Sequence, residues 1–200
     1  FIEVDGGQNG VIEATDNGQL LKYQNYWRGI YFTRCDNIKV RNISFLNMYV
    51  RSNGDSNGYC TGINFDNVGP DCSVEVCYFT YAFSGLYAYF QGTTGSNLTF
   101  SNNKTLYCAD LMVLGDGNAG SKWNGVTISG NYYDHSEVWG DAANRVHAEG
   151  IHLYAVNSSA SSINGVMIDS NYFGPYTSGI HTTAHIYLDG NIIGSPLITN

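Results

Sequence analysis

Nine residues able to do chemistry fall within one 19-residue stretch: Asp134, His135, Glu137, Trp139, Asp141, Arg145, His147, Glu149 and His152. The density is unusual in a 200-residue chain with only 9 Lys plus Arg and 17 Asp plus Glu, and three of the five histidines lie here. Carboxyl and imidazole groups can pass protons near neutral pH. A guanidinium pairs with an acidic substituent, and an indole stacks on an apolar ring face. Asp110 is a further carboxyl upstream of Glu149. Two carboxyls brought into one groove could act as acid and base in glycoside cleavage, or each could simply cap a turn. The plain alternative for the whole stretch is a solvated loop with incidental charges.

Other chemistries find little support. The formal net charge is −8, which argues against a binder of phosphate backbones. No run approaches the roughly 20 apolar residues of a membrane-spanning helix. No Gly-x-Ser-x-Gly, P-loop or dinucleotide fingerprint occurs. The five cysteines (Cys35, Cys60, Cys72, Cys77 and Cys108) form no Cys-x-x-Cys pair. They read as buried thiols acting as small hydrophobes, with a Cys60–Cys72 bridge as the alternative in an oxidising compartment.

The elements that must position these groups are strands. Gly and Asn, which tolerate the left-handed backbone, supply 46 of the 200 residues and imply many tight turns. Aromatic and β-branched residues fill the intervals. Gly or Asn interrupts every stretch that could keep a helical apolar period. The chain is predicted to be all-β.

A repeat runs through it. Gly29-Ile30-Tyr31-Phe32, Gly62-Ile63-Asn64-Phe65, Gly85-Leu86-Tyr87-Ala88, Leu111-Met112-Val113, Gly150-Ile151-His152-Leu153 and Gly179-Ile180-His181 each precede a loop and an alternating strand. The alternating strands end near Asn, as in Asn124-Gly125-Val126-Thr127-Ile128-Ser129-Gly130-Asn131 and Asn164-Gly165-Val166-Met167-Ile168-Asp169-Ser170-Asn171. Fixed strands with loops of variable length suit a solenoid, in which each coil touches only its neighbours. Asn suits the bends, and its side chain can bond its counterpart in the next coil.

On these repeats the chain resembles the right-handed parallel β-helix proteins of the pectin lyase-like superfamily, over residues 20–195 or so. The opening run Val4-Asp5-Gly6-Gly7 to Gly10-Val11-Ile12 looks like an early coil. The resemblance implies one β-helix domain over residues 1–200, of six or more coils in three parallel sheets, expected to be a piece of a longer chain. It implies a carbohydrate-active enzyme or a phage tailspike-type protein, secreted, at the cell surface or on a virion, and monomeric, or trimeric if tailspike-like.

Strand alternation predicts that Ile30, Ile63, Leu86, Leu111, Ile151 and Ile180 point inward. Tyr31, Asn64, Tyr87, Met112, His152 and His181 then form one outward column. Thr33, Asp66, Tyr89, Leu114, Tyr154 and Thr183 form a second. In the superfamily such columns floor the substrate groove. The resemblance therefore casts Glu149, Asp110, His152 and His147 as catalytic groups. Arg145, Trp139, Tyr154, Tyr87, Tyr89 and His181 become substrate-binding groups, although strand propensity alone accounts for many of the tyrosines. In polygalacturonase-like members a catalytic carboxylate precedes the strand glycine, and in His147-Ala148-Glu149-Gly150 the acid and the glycine match. The expected function is cleavage of a polysaccharide, hydrolysis ahead of β-elimination, with a non-catalytic glycan-binding shaft as the alternative. No resident metal or cofactor is expected, except that a lyase would bring in Ca²⁺ on Asp134, Glu137 and Asp141. Neither nucleic acid nor membrane is an expected partner.

Overall fold

The computed structural model describes residues 1–15, 27–48, 60–117, 120–135, 149–175 and 184–199. Among them there is no helix, and the strands form two sheets in which every pairing is parallel. The six-stranded sheet runs in chain order: Arg28–Thr33, Thr61–Asp66, Ser84–Phe90, Asp110–Asp116, Glu149–Ala155 and Ala184–Gly190. Between these, the repeats that start at Thr61, Ser84, Asp110 and Glu149 each send a strand to one arm of a twelve-stranded sheet and a shorter strand to its other arm. Thr94–Ser101 and Lys104–Leu106 are one such pair, and Lys122–Ser129 and Tyr132–Asp134 the next. This is an all-β, parallel, stacked arrangement compatible with a parallel β-helix.

The sequence predicts three sheets where two are found. The two arms are joined because Ile38–Leu46 stays one strand through its bend at Asn42, pairing with Cys72–Glu75 on one arm and Tyr78–Thr80 on the other. In later repeats the bend divides the strand. Val126 and Val166, and Ile128 and Ile168, pair in register as expected, all of them buried.

The bends stack into columns of left-handed residues, the conformation Asn and Gly reach at least cost. One column is Asn37, Asp71, Asn97, Gly125, Gly165 and Gly194; another is Asn42, Val76, Asn102, Gly130 and Ser170. The stacked asparagines stand one residue past the second column. Asn131 Nδ2 donates to Asn171 Oδ1 at 2.9 Å, and Asn103 Nδ2 donates to Asn131 Oδ1 at 3.1 Å. Beside the second column, bending and ladder bonding are thus divided between adjacent positions, whereas in the first column Asn97 does both, its Nδ2 donating to Asp71 Oδ1 at 2.7 Å.

The core lies between the sheets. Phe45 and Phe79 stack at 5.0 Å, and Phe45, Phe79, Ile63, Leu86, Ile128 and Ile151 are fully covered. The Gly of the Gly-Ile starts has a packing cause. A Cβ at Gly29 would overlap the Phe45 ring, one at Gly62 the Phe79 ring, and one at Gly150 the Phe173 ring.

The fourth repeat carries a correction. Met112, not Leu111, pairs with Leu86 and Ile151, so Met112 points inward and Leu111 stands where its neighbours have Gly85 and Gly150. Leu111 is fully buried, although the ring column of its own layer still holds an aromatic residue, Tyr133, which pairs with Thr105 of the preceding layer. In consequence Val113 and Gly115, rather than Met112 and Leu114, occupy the outward columns. In the last repeat Ile186 pairs with Ile151, so Ile186, Tyr187 and Asp189 hold the positions predicted for Ile180, His181 and Thr183. Those three lie outside the described residues.

Candidate functional site

The outer face of the six-stranded sheet carries two columns, set by register. Tyr31, Asn64, Tyr87, Val113, His152 and Tyr187 form the first; Thr33, Asp66, Tyr89, Gly115, Tyr154 and Asp189 form the second. From Tyr87 onward the face is aromatic. His152 lies between two phenol rings, with ring centres 5.0 Å from Tyr154 and 5.0 Å from Tyr187. Tyr87 and Tyr89 lie roughly parallel on one strand, 6.5 Å apart.

Tyr154 makes the longest reach. Its ring lies over the backbone of Gly115 on the adjacent strand, where any Cβ would overlap the ring and hydroxyl. Its hydroxyl is 3.4 Å from that of Tyr87, one strand further on. Glycine inside a strand often marks such a close approach. One tyrosine thus lies along the sheet surface across three neighbouring strands.

The carboxyl pair is brought together, buried at the start of two strands that carry this face. Asp110 and Glu149 occupy equivalent positions on adjacent strands, and Asp110 Oδ1 accepts the Glu149 N–H at 2.8 Å. Both are buried, Asp110 at 1% exposure and Glu149 at 0%. Burial pushes the Asp110 carboxyl well above the usual range; the Glu149 N–H opposes this and the Glu149 carboxylate adds to it. Ser84 and Thr61 continue the column; they are fully buried, and their hydroxyls have no hydrogen-bond partner among the described residues.

One contact links this interior to the face: His152 Nδ1 stands 3.6 Å from Glu149 Oε2, with the His152 side chain 18% exposed. A carboxylate behind an imidazole can fix its orientation.

The dense stretch is divided by the fold. Asp134 and His135 lie at the end of a short strand of the twelve-stranded sheet. Asp134 accepts the Tyr132 hydroxyl at 2.9 Å and the His135 N–H at 2.8 Å, and pairs with His135 Nδ1 at 3.1 Å. Trp139, Arg145 and His147, with Glu137 and Asp141, lie outside the described residues, as does His181. Among the described residues no three His, Cys, Asp or Glu side chains come together so as to hold a metal ion.

Two members of the face escape sequence reading. Tyr187 sits in an alternating run but belongs to a repeat whose start the sequence predicts six residues early. Gly115 carries a signal, a glycine within an apolar strand, that points to close approach without saying what approaches. No protein-family model, curated protein or solved structure matches this chain.

Proposed function

We propose that the chain is a right-handed parallel β-helix of the pectin lyase-like kind and binds a polysaccharide along the outer face of its six-stranded sheet. The observation that carries this reading is the Tyr154 ring laid along the sheet over Gly115, flanked by Tyr87, Tyr89, His152 and Tyr187. Aromatic rings cover the apolar faces of sugars, while phenol, imidazole and carboxylate groups bond the hydroxyls. Strands about 4.8 Å apart repeat these groups along the stack, which suits a repeating polymer better than a compact ligand. The surroundings of a free glycan are extracellular, so secretion or display on a cell or virion surface belongs to the same proposal. So does a monomeric state, or a trimeric one in a tailspike.

Cleavage is the second reading, favoured by the His152–Glu149 contact. His152 would exchange the proton at the face, and Glu149 would act from behind as a positioning residue. Asp110, buried and one layer further in, supports the fold in this reading rather than touching substrate. Hydrolysis and β-elimination are separated by their products: new reducing ends alone, or unsaturated ends absorbing in the ultraviolet.

The test is retention on gels loaded with polygalacturonate, cellulose derivatives or bacterial exopolysaccharide. Tyr154→Ala should weaken retention about tenfold, as loss of roughly 1.4 kcal/mol of stacking would. Gly115→Ala should do nearly the same by displacing the ring, with the fold intact. Retention unchanged in both variants would remove the face from the function. Glu149→Gln and His152→Ala should lower any turnover by about 10²–10⁴; full turnover in both would end the cleavage reading.

A further inference from the structure

Beyond the aromatic face, the bends that follow the first three strands of the six-stranded sheet enclose an open pocket of about 530 Å³. Arg34, Asp36, Asn67, Gln91, Thr93 and Thr94 line it. That volume is in the usual range for a small-molecule site, about 300–1,000 Å³. Its wall is built by Asn67. Arg34 and Asn67 both take the left-handed backbone, with φ of 54° and 52°. Their N–H groups donate to the carbonyls of Asp66 and Tyr89 in the next strand, at 3.0 and 2.9 Å. The Asn67 side chain then ties its own bend to the next one. Nδ2 donates to Asp66 Oδ1 at 2.9 Å, and Oδ1 accepts the Gln91 N–H at 2.6 Å and the Thr93 hydroxyl at 3.5 Å.

Asn67 spends its polar atoms on the wall, while the side chains of Arg34, Asp36, Gln91 and Thr94 are exposed. Among the described residues none of those four makes a side-chain hydrogen bond or ion pair. They offer a guanidinium donor, a carboxylate acceptor, and an amide and a hydroxyl that do both. The formal charges of Arg34 and Asp36 cancel, and the chain as a whole carries −8, so an anionic ligand would meet repulsion that a neutral polyol does not. Vicinal hydroxyls can accept from the guanidinium and donate to the carboxylate together. The pocket also joins the face: the Tyr31 hydroxyl donates to Asp66 Oδ2 at 2.6 Å, and the other oxygen of that carboxylate holds Asn67.

We infer that this pocket takes the terminal neutral hexose of a glycan whose following units lie along the tyrosine face. The inference rests on the carbohydrate reading, but its test uses ligands too short to reach Tyr154. The whole chain is titrated with galactose, glucose, mannose and galacturonate while the backbone amides of Gln91, Thr93 and Thr94 are followed by NMR. At least one neutral hexose should shift them saturably, with a dissociation constant on the order of millimolar. Galacturonate, which differs from galactose only in its carboxylate, should bind about tenfold more weakly or worse. Arg34→Gln and Asp36→Asn should each weaken the hexose about tenfold with melting unchanged, and Tyr154→Ala should not affect it. Three results would overturn the proposal: no saturable shift with any neutral hexose, galacturonate binding as tightly as galactose, or affinity unchanged in both pocket variants. Polysaccharide retention lost while the hexose titration holds would count against the face alone.

Discussion

Asp110→Asn separates a carboxyl kept for chemistry from one the fold merely tolerates. Asp110 is 1% exposed, and its Oδ1 accepts the Glu149 N–H at 2.8 Å. An amide oxygen of the same shape can accept that bond. What asparagine removes is the charge, which burial disfavours strongly enough to hold the carboxyl well above its ordinary 3.8. Between 3.8 and the raised native value, the folded chain binds a proton that the unfolded chain has released. Native stability therefore falls as pH rises across that window, by about 1.4 kcal/mol for each unit at full effect. The variant lacks this slope. Asp110→Asn should be more stable than the parent at neutral pH, and the gap should close as pH falls through 3.8. Urea denaturation of both proteins from acid to neutral pH measures it, since carboxyls common to the two cancel in the difference. A variant less stable at neutral pH, or a gap that does not vary with pH, would refute the reasoning.

Ile151→Ala should cost about 2–5 kcal/mol, because neighbouring layers hold the cavity open. His152→Ala, one residue later and on the face, should stay within about 0.5 kcal/mol; equal losses would mean that inside and outside are reversed. Asn131→Ala should cost about 3 kcal/mol, since the buried Asn103 N–H and side-chain amide lose their shared acceptor at 2.9 and 3.1 Å; chemical denaturation reads it, and a loss under about 1 kcal/mol would make the ladder ornamental. Burial pushes the Cys77 thiol up to about 11 and the Cys108 thiol to about 12. Both should therefore resist iodoacetamide in the native protein near neutral pH and react once denatured, as mass spectrometry would report; labelling of either in the folded chain would contradict that.

Much of the architecture is legible in the sequence because it depends on local physics repeated many times. Left-handed bends select Asn and Gly, alternation separates Ile30, Ile63, Leu86 and Ile151 from their outward neighbours, and the stacking of Val126 on Val166 follows from the repeat itself. Glu149 stands out as a groove-edge acid only through family resemblance, and the tertiary structure buries it completely. Other features depend on what a neighbouring layer contains. Leu111 takes the place its neighbours give to glycine, so the fourth repeat lacks the Gly-Ile signature and its register is set by the pairing of Met112 with Leu86 and Ile151. The site depends on this most of all. Tyr154, Gly115 and Tyr87 are brought together by parallel pairing of strands across 67 residues of sequence, and the missing Cβ at Gly115 matters only once the ring is above it. Residue type and spacing determined which strands form and which way their side chains face. Only the tertiary pairing decided which side chains meet, because contact between layers depends on register and on the volume left by residues far away in the chain.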